Sequence, residues 1–343
     1  MYRSSPRARR MPLGRWGLAA GVLALSAVAL TGCGLKPSTS YVPAVGPGSI
    51  TPLDGAEGVE LTVTSKSFTE QLLLGKIAVL AGTAAGFDVT DLSNLPGSQP
   101  TRELILSGQA DVLWEYTGTA WLTYLGQAEA IADQGEMWQA VHDRDIENGL
   151  TWGTPAPMNN TFALAVRSEA VAELGGITTM SQLAALPVED RTFCVESEFN
   201  SRPDGMNPIL KRYGLERGAA DGVPDGNIGI YDTGAIYSAT DDDDGACNFG
   251  EVFTTDGRLD ALDLVVLTDD LAFFPAYNVA PVFFTETIEA NPGLEEIFAE
   301  ISPRLTDEVL RGLNRQIDVD GAEPADVAYA WMVEEGFFTD PTE

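Results

Sequence analysis

From residue 59 onward the apolar positions switch between two spacings. In 59–64 every second side chain is apolar (Val59, Leu61, Val63), as in a short strand with one buried face. Ser67 and Glu70 then stand at the spacing of a capping box, Ser67 as N-cap and Glu70 at N3. They open a predicted helix that turns Leu72, Leu73, Ile77 and Leu80 inward and stops at Gly86. Residues 87–90 predict a second strand, 101–107 a short helix, and 110–115 a third strand. Strands and helices alternating in this way predict an α/β fold with a mostly parallel sheet.

The strand-to-helix turns carry the first functional hint. One strand runs into Lys66 and Ser67, and another into Tyr116, with Thr117, Gly118 and Thr119 opening the next helix. In open parallel sheets such turns line the crevice at the carboxyl ends of the strands. Lys66, Tyr116 and Thr119 are therefore expected in one mouth, where helix N-termini offer free N–H groups to an anion. A second unit starts with the apolar run 162–166, then predicts a helix over 168–174, a strand at 192–196 and a helix ending near Tyr213 and Gly214. Strands near 250–253 and 264–267 lead to a helical C-terminal part. There Thr306 and Asp307 cap one helix, and Pro324 and Gly336 frame another.

Ahead of these units lies a different kind of segment. Arg3, Arg7, Arg9, Arg10 and Arg15 precede an apolar run over 16–30, which is an export signal in character. That run is short of the ~20 apolar residues that span a bilayer. Leu30, Thr31 and Gly32 before Cys33 resemble the lipobox of bacterial lipoproteins, in which the cysteine is lipidated and becomes the new N-terminus. Residues 1–32 are thus expected as a lipoprotein signal and 33–58, rich in Pro, Gly, Ser and Thr, as a flexible tether. The protein is expected outside the cytoplasmic membrane, held to its outer face by lipid.

The chain carries −31 overall; with the five leader arginines set aside, 15 basic residues face 51 acidic ones, a net of −36. A surface this acidic repels polyanions and argues against nucleic acid as a partner. With Cys33 lipidated, Cys194 and Cys247 remain, and an exported chain allows them to pair; a disulfide is our hypothesis. The single histidine, His142, sits in a polar helical stretch, expected exposed, and no G-x-S-x-G turn supplies a serine nucleophile. Zinc spacings, Walker loops and dinucleotide glycine patterns are missing from the sequence. Asp241 to Asp244 with Gly245 and Glu251 brush against a calcium loop, but the register puts Thr240 where Asp is needed. No metal, no cofactor and no catalysis are expected.

Six segments, read in order, resemble the substrate-binding proteins of ABC importers for compatible solutes, the glycine betaine/carnitine/choline/proline betaine family. They are 65–71 (SKSFTEQ), 115–121 (EYTGTAW), 159–167 (NNTFALAVR), 198–205 (EFNSRPDG), 254–258 (TTDGR) and 269–277 (DDLAFFPAY). The resemblance implies a two-lobed, type II periplasmic-binding-protein fold with a ligand cleft between lobes. One lobe would take 59–160 plus 275–343 and the other 161–274, with the hinge at the two crossings. It also implies an aromatic cage for a quaternary ammonium group, with walls at Tyr116, Phe162, Phe253 and Tyr277, beside Asn160. The family often has Tyr where this chain has Phe162 and Phe253, and sometimes an acid at Asn160. Lys66, Thr119 and Arg202 would meet a ligand carboxylate, although Arg202 could instead pair with Asp204. Gln71 and Trp114 are candidates for support behind the site. The implied protein is a monomer that hands a small quaternary-ammonium or zwitterionic solute to a membrane permease. The alternatives are choline or an aromatic or thiolated betaine in the same cleft, an extracytoplasmic enzyme, or a surface lipoprotein that keeps the fold for protein contacts.

Overall fold

The computed structural model describes residues 43–242 and 245–341. Cys33 and the expected signal lie outside the described residues. Two mixed five-stranded sheets organise the chain. The first has the order β2-β1-β3-β10-β4, from β1 (Glu60–Lys66), β2 (Asp88–Leu95), β3 (Val112–Tyr116), β4 (Leu150–Trp152) and β10 (Val279–Phe284). The second has the order β7-β6-β8-β5-β9, from β5 (Phe162–Arg167), β6 (Phe193–Val195), β7 (Ile228–Ile230), β8 (Phe249–Phe253) and β9 (Leu264–Val266). The chain leaves the first sheet between β4 and β5 and returns between β9 and β10, so each sheet anchors one lobe.

Only part of each sheet is parallel, which corrects the sequence reading. β1 pairs in parallel with β2 and β3, but β10 returns from the other lobe and enters antiparallel between β3 and β4. β5 likewise runs antiparallel to both β8 and β9. Strand direction here is decided by the lobe crossings, which no local pattern encodes.

The first core is built around the helix Thr69–Ala84. It is buried on nearly every side, between the sheet and Phe298, Trp331, Phe337 and Phe338, rather than along one stripe. Leu72 is left only half-buried. The capping box does not form: Phe68 is the N-cap, without a side-chain bond, and Glu70 turns inward. Thr306 does cap its helix, accepting from the Val309 N–H at 3.3 Å.

Residues 45–56, expected in the spacer, lie against the body instead. Ser49 and Ile50 donate to the carbonyls of Gly336 and Phe337, and Ile50 and Ala56 are buried. A Cβ on Gly48 would stand 2.3 Å from the Phe338 backbone, so only glycine allows this approach. Isolated apolar residues among Pro and Gly show no period, which is why the pattern missed them. Cys194, on β6, and Cys247, just before β8, form a disulfide with their Cα atoms 5.7 Å apart. No helix among the described residues is long and apolar enough to cross a membrane.

Candidate functional site

β1 and β3 end side by side, so their last residues, Lys66 and Tyr116, share one rim. Beyond Tyr116 the chain turns through Thr117–Thr119 and then widens into a π-helical turn over Ala120–Tyr124. Such turns concentrate at functional sites. The antiparallel register sets Val279 of β10 opposite Tyr116, which brings Tyr277, two residues earlier, to the same rim. A Cβ on Gly118 would meet the Tyr277 ring at 2.6 Å, so the glycine makes room for that ring.

The second lobe supplies the facing wall. Phe162 opens β5 directly opposite Phe253, which closes β8. After β6, the Glu196 side chain accepts from the Glu198 and Phe199 N–H groups and caps the short helix Ser197–Ser201. Arg202 follows at its end. Lys66, Tyr116, Thr119, Asn160, Phe162, Arg202, Phe253 and Tyr277 all line one cavity of about 100 Å³ between the lobes. Gln71 lies behind it, donating to the Trp114 carbonyl at 3.1 Å, and neither residue lines the space.

A further ring lines the cavity, unread from sequence. Phe68 stacks on Phe253 with centroids 5.1 Å apart and stands 6.2 Å from Tyr116. Phe162 packs 5.2 Å from Phe253 and edge-on to Tyr277 at 5.5 Å. The rings thus form a continuous apolar and π-rich lining drawn from both lobes. Its signal was present as an aromatic at a strand-to-helix turn, but the capping reading absorbed it.

The two cations assigned to a carboxylate are already paired. Lys66 Nζ lies 2.5 Å from Glu115 Oε1, and Glu115 also accepts from the Tyr124 hydroxyl at 2.7 Å. Arg202 makes a two-pronged pair with Asp204 through Nε (2.8 Å) and Nη2 (2.7 Å). So the Asp204 pairing left open by the sequence is the one realised, while the guanidinium still lies 5.1 Å above the Phe162 ring. Tyr277 donates its hydroxyl to the same Asp204.

Three glutamates of the second lobe, Glu196, Glu198 and Glu251, share the cavity wall. None was read from sequence as part of the cleft wall, because acids are too common in this chain for their spacing to inform. Glu251 is buried and accepts from the Glu196 N–H at 2.7 Å. Burial, reinforced by the charge of Glu196, pushes its carboxyl up to about 8. Burial works against Glu198 too, but Lys66, the Ser98 N–H and Arg202 outweigh it and hold that carboxyl below its usual range.

Side-chain bonds join the lobes around the cavity. The Ser98 N–H, at the start of the helix Ser98–Leu106, donates across the cleft to Glu198 Oε2 at 2.9 Å. Arg202 Nη2 reaches Thr119 Oγ1 at 3.4 Å, and Arg311 donates to the Thr254 carbonyl at 3.0 Å. This is a closed arrangement. Among the described residues no group of three or more His, Cys, Asp or Glu is placed to hold a metal. His142 is half-buried beside Trp138, their rings 5.3 Å apart.

Comparison with known proteins adds ancestry to this geometry. The sequence profile of the substrate binding domain of ABC-type glycine betaine transport systems matches residues 59–334. A glycine-betaine-binding protein of Pseudomonas aeruginosa is 35% identical over 293 residues, 83% of this chain and 91% of that protein. The glycine betaine-binding protein YehZ of Escherichia coli is 30% identical over 292 residues, 83% of this chain and 93% of its own. A solved structure of apo YehZ from the same organism superposes with a TM-score of 0.60 at 26% identity, covering 81% of this chain and 99% of that one.

Proposed function

The chain belongs to the family of substrate-binding domains of ABC-type glycine betaine transport systems, and we propose that it captures a small quaternary ammonium solute between its lobes. The observation that carries this reading is the ring lining: Tyr116 and Phe68 from one lobe, Phe162 and Phe253 from the other, with Tyr277 at the crossing. A cation desolvated against such faces gains roughly 0.5–2 kcal/mol per wall. Phe walls serve a methylated cation as well as Tyr walls do, because its methyl groups ask for no hydrogen bond. Closure would then assemble the rings and hand the loaded protein to a membrane permease. We further propose that Cys33 carries a lipid that keeps the protein at the outer face of the membrane, and that it works there as a monomer without covalent chemistry.

Glycine betaine is the first candidate, its carboxylate meeting Thr119 and the edges of Lys66 and Arg202. One observation favours a second reading, a choline-type cation with no carboxylate. Lys66 and Arg202 are held by Glu115 and Asp204, and three glutamates line the space. A thermal-shift screen of glycine betaine, proline betaine, choline and carnitine tests both. A bound ligand at ~100 times its dissociation constant adds about 2.7 kcal/mol of stability. Calorimetry with Tyr116→Ala plus Tyr277→Ala, against Phe at the same positions, tests the cage. Binding that survives the double alanine change would end the proposal.

A further inference from the structure

Glu70 is a buried carboxylate without a counter-ion among the described residues. It is 3% exposed, and each of its oxygens accepts two hydrogen bonds. Oε1 takes the Tyr116 hydroxyl at 2.7 Å and the Asn160 amide at 2.9 Å. Oε2 takes the Thr255 hydroxyl at 2.6 Å and the Asn314 amide at 3.1 Å. The two amide N–H groups only donate, which suits an ionised acid. Among the described residues no Lys, Arg or His forms an ion pair with it. The cations around the site are committed elsewhere: Lys66 to Glu115, Arg202 to Asp204, Arg258 to Asp256. A charge buried this way is costly unless an opposite charge comes near. Consistent with that, burial holds its carboxyl above the usual range in spite of all four bonds.

The donors show where the opposite charge would come from. Tyr116 and Asn160 both line the ligand cavity, so the carboxylate sits directly behind two of its walls. Thr255 belongs to the second lobe, two residues past Phe253, and Asn314 also donates to its carbonyl at 3.0 Å. Opening the lobes would pull Thr255 away and leave Oε2 short of a donor.

We propose that Glu70 is a positioning and specificity residue: its carboxylate, held behind Tyr116 and Asn160, is the counter-ion of the ligand's ammonium group, and Thr255 completes it on closure. This rests on the quaternary-ammonium reading. Glu70 acts through the residues in front of it and need not touch the ligand.

The test compares glycine betaine with tert-butylacetate, in which carbon replaces the charged nitrogen, by calorimetry and displacement on wild type and Glu70→Gln. Glu70→Gln is expected to lower affinity for glycine betaine about tenfold, the scale of one unit charge acting across a ring at an effective dielectric constant near 20. Affinity for tert-butylacetate is expected to hold. Equal losses for both ligands, or no loss for either, would overturn the inference, since a purely structural role cannot tell the two apart. If Glu70→Gln fails to fold, Glu70→Asp draws the charge back from the two walls; an unchanged ratio of the two affinities would then overturn it. A wild-type protein that binds no quaternary ammonium compound fails the functional reading instead, before Glu70 is tested.

Discussion

Replacing Arg202 by alanine should damage stability and binding by separable routes. Arg202 and Asp204 are both buried, and among the described residues Asp204 would keep only the Tyr277 hydroxyl as a side-chain donor. Breaking a buried pair by removing one partner typically costs about 3–5 kcal/mol, because the other charge stays buried. In a protein of this size that is a fall in Tm of roughly 6–20 °C. Binding of a carboxylate-bearing ligand loses a charge-assisted contact as well, worth about 1.5–3 kcal/mol or roughly 10- to 150-fold in Kd. Adding Asp204→Asn removes the stranded charge while leaving an oxygen for Tyr277. The double variant should therefore recover most of the lost Tm by calorimetric scan, yet still bind glycine betaine weakly. Choline should bind the double variant nearly as well as wild type. A double variant with wild-type glycine betaine affinity would refute the role of Arg202 at the ligand's acidic end. Wild-type stability for Arg202→Ala alone would refute the stranded-charge argument.

Three further outcomes are expected. Cys194 and Cys247 close a loop of 53 residues; Cys194→Ala with Cys247→Ala should cost about 4 kcal/mol in the chain-entropy picture, seen as a lower Tm that reductant no longer changes. Glu251 titrates near 8 in the fold against 4.5 normally, so the unfolded chain ionises first and stability falls as pH rises across that window; Glu251→Gln should match wild type in Tm near pH 4 and exceed it at pH 8–9, and parallel curves would discount the burial of this acid. Glu198→Gln removes the charge that the second lobe sets at the start of the helix Ser98–Leu106; a roughly 2- to 5-fold weaker affinity and a larger radius by solution scattering are expected.

Local rules read what was local. The alternation at 59–64, the helix after it, the apolar strand at 162–166 and the Thr306 cap are all encoded within a few residues of themselves. Strand direction in both sheets was not, since β10 and β5 take their orientation from chain crossings more than a hundred residues apart. The eight residues carried over from family resemblance line one cavity, but Phe68 and Glu70 escaped notice for one shared reason. Ser67 and Glu70 satisfy a strong short-range motif, and the fold overrides it with donors from Tyr116, Asn160, Thr255 and Asn314, 46 to 244 positions away. The wall of Glu196, Glu198 and Glu251 was hidden by abundance, 51 acids offering no contrast against which three could stand out.

Phe162 and Phe253 sit directly opposite each other in the β5–β8 pairing, and that has a consequence for anyone reshaping this molecule. Side chains on a strand alternate faces, so one residue added or removed inside 162–167 or 249–253 would send a ring to the far side of the sheet. Grafts and length changes belong in the exposed stretches between strands, where the pairing frame is untouched. Within the two strands, retuning for a new solute has to proceed by substitution alone.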